Sequence, residues 1–589
     1  MRIAIVGGGV SGLSTLWALN EHPAGDAHQI HLFESGDYIG GHTNTIEFQP
    51  PPSTDAENLG RRARPKTQVD TGFIVFNRVT YPNFLNFLNL VRIPILDSDM
   101  SFSVTRRELE LGSFEWAGSS PGALFCQKEN LLNPSHWRMV WEIIKFNYQA
   151  LHFIRSSSSS SRDDEVSIGT WLDQRGYGKG FINNYLIPMT ASIWSTAPST
   201  ALHSFPALTL LRFMHNHHLL QILDRPQWLT IKGGSKNYVD RILSKFPREN
   251  VHKGADGRIV ETRKVKRVRG EGESETLWVL RNQAGQEMEF DKVVFACHAD
   301  TTLKILEGAL PQDDEVRKTL AEFKFSENVA VTHCDVKLMP VRRQAWSAWN
   351  FLAENVANTE GDQQQKEEGE EGGEKDIDRV SLTYWMNLLQ SIPESEHGPV
   401  LVTLNPSTEP GSPYRPDPEK VVRSQSYTHP IYTSRSVSAQ RRLSDLQGGE
   451  GLYFAGAWTN YGFHEDGFTS GLRVATSIGS RLPFQVVDAE REDLKATAAV
   501  EPNPDVALRI IQTLDSIARS SPFAIASSLL LIIAIAFNLF LEILLNLLLP
   551  PTSGTEPGLR KSLRTVRRFW EQSLQVGQSR GASLSRKRV

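Results

Sequence analysis

Cysteine is nearly absent. The 589-residue chain has 3, namely Cys126, Cys297 and Cys334. They are isolated from one another and no C-x-x-C pair occurs, which excludes a disulfide framework and a cysteine zinc site. A reducing compartment fits the main body. Charge of one sign is also lacking: 63 Lys and Arg stand against 67 Asp and Glu, for a formal charge of −4. No basic stripe interleaved with aromatics runs through the body of the chain, so nucleic acid is not expected as a partner. No cleavable leader is expected, because no clear cleavage site follows the apolar first residues and those residues are needed as a strand. The cluster His215-Asn216-His217-His218 lacks the further ligands a metal requires, so no metal centre is expected.

What is present is organised around the N-terminal segment. Ile3 to Val6 is a short apolar run that suits a buried parallel strand. Gly7, Gly9 and Gly12 follow in the G-x-G-x-x-G spacing and open a helix that starts at Val10 and Ser11. Gly7 permits the tight turn, Gly9 lets backbone approach a pyrophosphate, and Gly12 lets the helix pack on the strand. The helix N-terminus turns its partial positive charge to the phosphates. Glu34 ends the second strand, Ile30 to Phe33, where a carboxylate accepts an adenosine ribose hydroxyl and repels a 2′-phosphate. A lone glycine motif is weak; strand, glycines, helix, strand and acid in that order are specific. Gly40-Gly41, followed by His42 and Thr43, carries the site beyond the adenosine. This pair resembles the second glycine motif of FAD-binding proteins of the glutathione-reductase type.

The rest of the chain alternates in character. Pro50 to Lys66 reads as an inserted loop. Val69 to Asn77 reads as one apolar strand with a polar entry, and Tyr81 to Val91 as a helix. Residues 92 to 230 are aromatic-rich, with the serine run Ser156 to Ser161 as a loop. Gly233-Gly234-Ser235 opens a helix through Tyr238 and Ile242. Val260 to Val268 and Leu277 to Leu280 alternate as antiparallel strands. Asp291 to His298 reads as a strand returning to the nucleotide sheet. Residues 358–378 are rich in Glu, Gly and Gln and are expected to be a disordered insertion. Leu452 to Ala455 reads as a strand, followed by a glycine turn and a helix starting near Gly467.

Together these residues resemble the FAD-dependent amine oxidase superfamily over roughly residues 1–482. The resemblance rests on the first glycine motif with Glu34, on Gly40-Gly41, on Gly233-Gly234, and on the block from Phe454-Ala-Gly-Ala-Trp to Ser470-Gly471. Asp70-Thr-Gly-Phe, Trp194-Ser-Thr, Tyr384-Trp-Met-Asn, Thr428-His-Pro and Gly462-Phe-His-Glu-Asp-Gly are most similar to one branch. That branch resembles the oxidoreductase domain fused to some cyclopropane-fatty-acyl synthases.

The resemblance implies a Rossmann-like FAD-binding domain interleaved with an α+β substrate domain. The FAD-binding parts are 1–90, 231–310 and 431–482; the substrate parts are 91–230 and 311–430. It implies FAD contacts at Gly7, Gly9, Val10, Ser11, Gly12, Glu34, Gly40, Gly41, His42, Thr43, Val260, Gly456 and Ala457. It also places Gly467, Phe468 and Thr469 at the N-terminus of the helix that faces the flavin. Two departures stand out: His42 where members often carry Arg, and Ala457 where members often carry an acid. No cysteine lies between Cys334 and the C-terminus, so the FAD is expected to be non-covalent.

His464 and Glu465 are the candidate catalytic pair. A histidine titrates near neutral pH, and a desolvated glutamate serves as a base. The competing reading is that Glu465 and Asp466 cap the helix and His464 packs. Trp458, Tyr461, Tyr384 and Trp385 are candidates to wall a cavity, with core packing as the alternative.

Residues 483–522 read as a linker, 523–549 as a membrane-anchor helix and 550–589 as a basic tail. Phe523 to Leu549 is apolar, lacks Gly and Pro, and is long enough to span a bilayer. The tail from Thr552 holds nine Lys or Arg against Glu556 and Glu571, a pattern that favours the cytosolic side. A tail anchor with an exported tail, or a helix lying in the membrane surface, would each keep the flavin domain in the cytosol.

Three functions compete. The first is hydride transfer from a lipid-like fatty acyl substrate to FAD, at a membrane and alongside a partner enzyme of lipid modification. The second is amine oxidation to aldehyde and hydrogen peroxide. The third is a flavin-binding partner protein without turnover of its own.

Overall fold

The computed structural model describes residues 1–25, 28–51, 64–108, 112–156, 166–194, 205–220, 226–269, 273–354 and 379–488. All of these belong to one compact unit, Met1–Arg509. Strand β1 (Arg2–Val6) is its centre: Ile3, Ala4 and Ile5 are fully buried, as a strand covered on both faces must be. It pairs in parallel with β2 (Gln29–Glu34) on one side and with Lys292–Phe295 on the other. Val251–Lys253 extends the sheet beyond β2, and Leu452–Phe454 extends it beyond Lys292–Phe295, both in parallel.

The chain therefore builds outward from β1 in one direction and then crosses to build in the other. The order reverses between β1 and Lys292–Phe295, and ligands of open parallel sheets sit outside the carboxyl ends of the strands at such a point. Gly7 directly follows β1 there. A Cβ on it would stand 2.7 Å from the Ala296 carbonyl carbon, and its φ is +116°. Only glycine fits both constraints.

A seven-stranded sheet runs Val421–Ile431, Lys324–His333, Leu401–Leu404, Arg379–Trp385, Trp349–Glu354, Phe102–Glu108, Gly112–Ala117. Its neighbours are antiparallel except for the parallel pair Trp349–Glu354 and Phe102–Glu108. Helices Pro134–Ser156, Ile168–Asp173 and Ala207–Asn216 pack an aromatic core that includes Phe146, Trp171, Tyr177 and Phe181. Ile259–Arg269, Glu273–Asn282 and Glu287–Phe290 form a three-stranded antiparallel sheet. The mixed α/β class is the expected one.

One expected element breaks in two. Thr67–Asp70 pairs with Thr45–Phe48, whereas Phe76–Asn77 joins a different sheet beside Trp228–Ile231. The chain turns between them because the Asp70 carboxylate is fully buried and tied to Ser235, and because Gly72 lies against the His42 carbonyl. Among the described residues no helix is long and apolar enough to cross a membrane. The expected anchor at 523–549, the basic tail and the insertion at 358–378 lie outside the described residues.

Candidate active site

The first helix, Val10–Glu21, has Gly9 as its N-cap, and its first intrahelical bond runs from the Leu13 N–H to the Gly9 carbonyl. The amides of Val10, Ser11 and Gly12 are therefore free of helical partners, as at any helix start. A Cβ on Gly12 would fall 1.9 Å from the Gly7 carbonyl oxygen, which is why turn and helix can close on each other only with glycine there. A Cβ on Gly9 would meet nothing within 4 Å. This open ground at a helix N-terminus is a cradle for a pyrophosphate.

Glu34 stands beside it. The Gly8 and Gly36 N–H groups donate to its two carboxylate oxygens, each at 2.8 Å. That fixes the carboxylate and leaves lone pairs for a ribose hydroxyl. The Gly40 N–H donates to the Gly8 carbonyl at 2.9 Å, and a Cβ on Gly41 would lie 3.1 Å from the Gly9 Cα. The second glycine motif thus sits directly on the first.

The last helix, His464–Ile478, starts three residues before the expected Gly467. Asp466 explains the early start: its Oδ2 accepts the Phe463 N–H at 2.8 Å, the carboxylate half of a capping box. The Gly467 N–H is spent on the Phe463 carbonyl, so the first turn of the helix is His464, Glu465 and Asp466 rather than Gly467, Phe468 and Thr469. Gly467 serves packing instead, since a Cβ there would stand 2.6 Å from Val10 and 3.0 Å from Ser11. Phe468 is fully buried against Phe84 and Phe87. The Thr469 hydroxyl pairs with Asn83 and Glu465. The Gly456 N–H donates to Ser470 Oγ, and Ala457 opens a short turn packed near Gly467.

Val260 lies on the three-stranded sheet, and its side chain is 44% exposed. Gly257, three residues earlier, packs against the end of β2: a Cβ there would be 2.2 Å from the Glu34 carbonyl oxygen and 2.3 Å from that of His252. The sign in the sequence was a glycine, and its reason is a contact made across more than 200 residues.

Glu465 is buried, and burial pushes its carboxyl up to about 7. It accepts the Asn83 N–H at 2.9 Å and the Phe84 N–H at 3.0 Å, the first amides of helix Pro82–Leu90. It is the cap of a distant helix. His464 is 8% exposed, and burial lowers it to about 3. Its ring stacks on Phe73 at 3.6 Å and meets Phe84 edge-on. It does not titrate near neutral pH, contrary to the expectation, because Phe73 and Phe84 take the place of water around it.

His42, His298 and His429 gather around the same region. His42 stacks on Tyr427 at 4.8 Å and on His429 at 5.3 Å. His298 follows the strand beside β1 and pairs with the Thr428 hydroxyl at 3.0 Å. Burial lowers all three, His42 well below the usual imidazole range and His429 to about 4, with His298 adding repulsion to both. Each is half-buried, with part of its surface accessible. His42 Nε2 and His429 Nδ1 have no partner. No group of three metal-ligating side chains is placed to hold an ion among the described residues.

The four aromatic candidates do not form one wall. Trp458 packs on Phe323 and donates to the Cys297 carbonyl; Tyr461 lies by Phe213, Tyr384 by Trp349 and Trp385 by Trp346.

A parallel sheet with its crevice at the reversal point, two stacked glycine motifs, a fixed carboxylate at the end of β2 and a second helix N-terminus converging on the first define an FAD-binding oxidoreductase. The family model for flavin containing amine oxidoreductases matches residues 10–479, and the chain belongs to that family. No curated protein matches it in sequence.

Solved structures share the fold. Cyclohexylamine oxidase from Brevibacterium oxydans is 14% identical with a TM-score of 0.50, covering 81% of this chain and 98% of its own. Putrescine oxidase is also 14% identical, with a TM-score of 0.52 and coverage of 81% and 99%. The fatty acid isomerase from P. acnes is 12% identical, with a TM-score of 0.51 and coverage of 81% and 98%.

Proposed function

We propose that this FAD-dependent oxidoreductase acts on a lipid-like, fatty acyl substrate rather than on a cationic amine. The observation that carries this reading is the absence of a free negative charge at the crevice among the described residues. Glu34 holds two amides. Asp70 accepts from Ser235, Thr45 and Gln390. Glu465 caps helix Pro82–Leu90 and Asp466 caps its own helix. The groups left facing inward are neutral imidazoles and aromatic rings. An ammonium brought there would lose water and meet only carboxylates already held by protein donors, which is costly; an acyl chain has no charge to desolvate.

When bound, the flavin supplies a two-electron acceptor for a hydride taken from the substrate. The residues present fit that group. The amides of Val10, Ser11 and Gly12 and the open ground at Gly9 receive the pyrophosphate, and Glu34 the ribose. Gly40, Gly41 and His42 continue the site beyond the adenosine. Phe73, Tyr427 and the imidazoles keep water out. Non-covalent attachment is part of this reading: no cysteine follows Cys334, and burial pushes the Cys297 thiol up to about 12, away from the reactive thiolate.

The apolar stretch at 523–549, a cytosol-facing membrane location and a partner enzyme of lipid modification belong to the same proposal, because a lipid substrate is met at a membrane. The family description favours a second reading, amine oxidation to aldehyde and hydrogen peroxide. Anaerobic mixing of the purified yellow protein with substrates separates them. Acyl lipids in mixed micelles are expected to bleach the flavin, and putrescine and cyclohexylamine to leave it oxidised. Bleaching by the amines alone would overturn the lipid reading.

A further inference from the structure

Three side chains far apart in sequence form a hydrogen-bonded line at the crevice. The Thr43 Oγ1 to Tyr238 Oη distance is 2.7 Å, and Tyr238 Oη to His464 Nε2 is 3.0 Å. Tyr238 is fully buried, Thr43 and His464 nearly so. Thr43 closes the second glycine motif, where its N–H donates to the Gly40 carbonyl. His464 opens the last helix. The line joins the two parts of the chain that meet the first glycine motif.

Either direction leaves one hydrogen of the line without an acceptor in it. If Thr43 donates to Tyr238 and Tyr238 donates to Nε2, the unpaired hydrogen is on the His464 ring; in the reverse direction it is the hydroxyl hydrogen of Thr43, which is buried away from any ligand. The first direction puts it where a ligand can accept it. The first arrangement puts the ring hydrogen on Nδ1. That atom, His464 Nδ1, has no hydrogen-bond partner among the described residues, yet it is not among the fully buried unpaired atoms, so it opens onto space. A polar hydrogen held there without an acceptor costs free energy that a ligand acceptor would recover.

We propose that Thr43 and Tyr238 lock His464 as the neutral Nδ1–H tautomer and that this N–H is a fixed hydrogen-bond donor to the ring system of the bound flavin. The Phe73 stack holds the ring plane and burial keeps it uncharged, so the donor adds a directed dipole without a full charge. Such a donor binds the electron-rich reduced ring better than the oxidised one and raises the reduction potential. Thr43 and Tyr238 are positioning residues; His464 is the contact. The inference rests on the cofactor and not on which substrate is oxidised.

The test is the potential of the bound flavin in three single variants of the full chain. His464→Leu removes the donor, Tyr238→Phe removes only the hydroxyl that orients it, and His464→Asn returns an N–H near the position of Nδ1. The first two are expected to shift the reduced-to-oxidised ratio about tenfold toward oxidised, about 30 mV for a two-electron couple. His464→Asn is expected to regain most of that shift. If His464→Leu does not retain flavin, Tyr238→Phe decides, because its ring still packs on Phe84 and Phe87. A flavin-loaded Tyr238→Phe or His464→Leu protein with the wild-type potential would overturn the proposal. So would an unchanged potential accompanied by a raised KM, which would put the donor on the substrate.

Discussion

Glu465 and Glu34 are both acidic residues at element ends, and the structure gives them different work. Replacing Glu465 with Ala orphans the Asn83 and Phe84 amides. It is expected to lower stability by about 1–3 kcal/mol while leaving the pH profile of flavin reduction in place. Thermal unfolding and rapid-mixing traces check the two halves, and a displaced pH profile at wild-type stability would restore Glu465 as a base. Glu34→Ala loses a ribose acceptor, and a charged hydrogen bond of about 1.5–3 kcal/mol corresponds to a 10- to 150-fold weaker FAD Kd; titration of apoprotein with FAD measures it. The place of Glu34 was legible because strand, glycines, helix and acid lie in one short stretch. The role of Glu465 was not, because its partners lie 381 and 382 positions away. Gly257 was passed over for the same reason: its approach to Glu34 is a contact across the fold and has no sign in its neighbours.

Elements were legible where the pattern was local. β1, the strand beside it at Lys292–Phe295 and the helix Pro82–Leu90 follow from short apolar runs and periodicity. The start of the last helix was misread because Gly467 looks like a helix opener, while Asp466 reaches back to cap three residues earlier. The break between Thr67–Asp70 and Phe76–Asn77 has no local sign, since its cause is the burial of Asp70 against Ser235. The two helices that converge on the crevice depend on glycine for their spacing. A Cβ on Gly471 would lie 2.2 Å from the Ser11 carbonyl oxygen and 2.1 Å from Ser14 Oγ. Gly471→Ala is therefore expected to cost about 1–3 kcal/mol by overpacking and to loosen FAD, as the helices separate. Denaturant unfolding and flavin content check this; wild-type values for both would show that the helices can part without consequence.

At the scale of the molecule, buried neutral histidines set the response to acid. His217 and His464 are lowered to about 3 and His333 and His429 to about 4, against 6.5 when unfolded. Below 6.5 the unfolded chain takes up their protons and the folded one does not, so their contribution is present above 6.5 and is lost as pH falls toward 3–4. Asp70, raised to about 6, and Glu465, raised to about 7, act in the opposite sense. His42, lowered further still, adds to the histidine side, so the histidines outnumber the two acids and stability is expected to fall as pH drops from 7 to 5. Denaturant midpoints between pH 7 and 5 measure the slope; a flat profile would mean the imidazoles are charged in the fold. Ending the chain before Pro522 is expected to release a yellow protein from membranes with its flavin content intact, and a colourless or aggregated product would place that segment in the core.

The flavin content of Gly9→Asp protein tests the FAD site most directly. The space around Gly9 is empty and its φ of −76° suits any residue, so the variant is expected to fold, with the circular dichroism and unfolding midpoint of wild-type apoprotein. Its carboxylate occupies the pyrophosphate ground and repels it, so the purified protein is expected to be colourless, whereas wild-type protein is expected to release FAD into the supernatant on acid precipitation. Folded Gly9→Asp protein carrying a full complement of FAD would contradict the assignment of this crevice as the cofactor site.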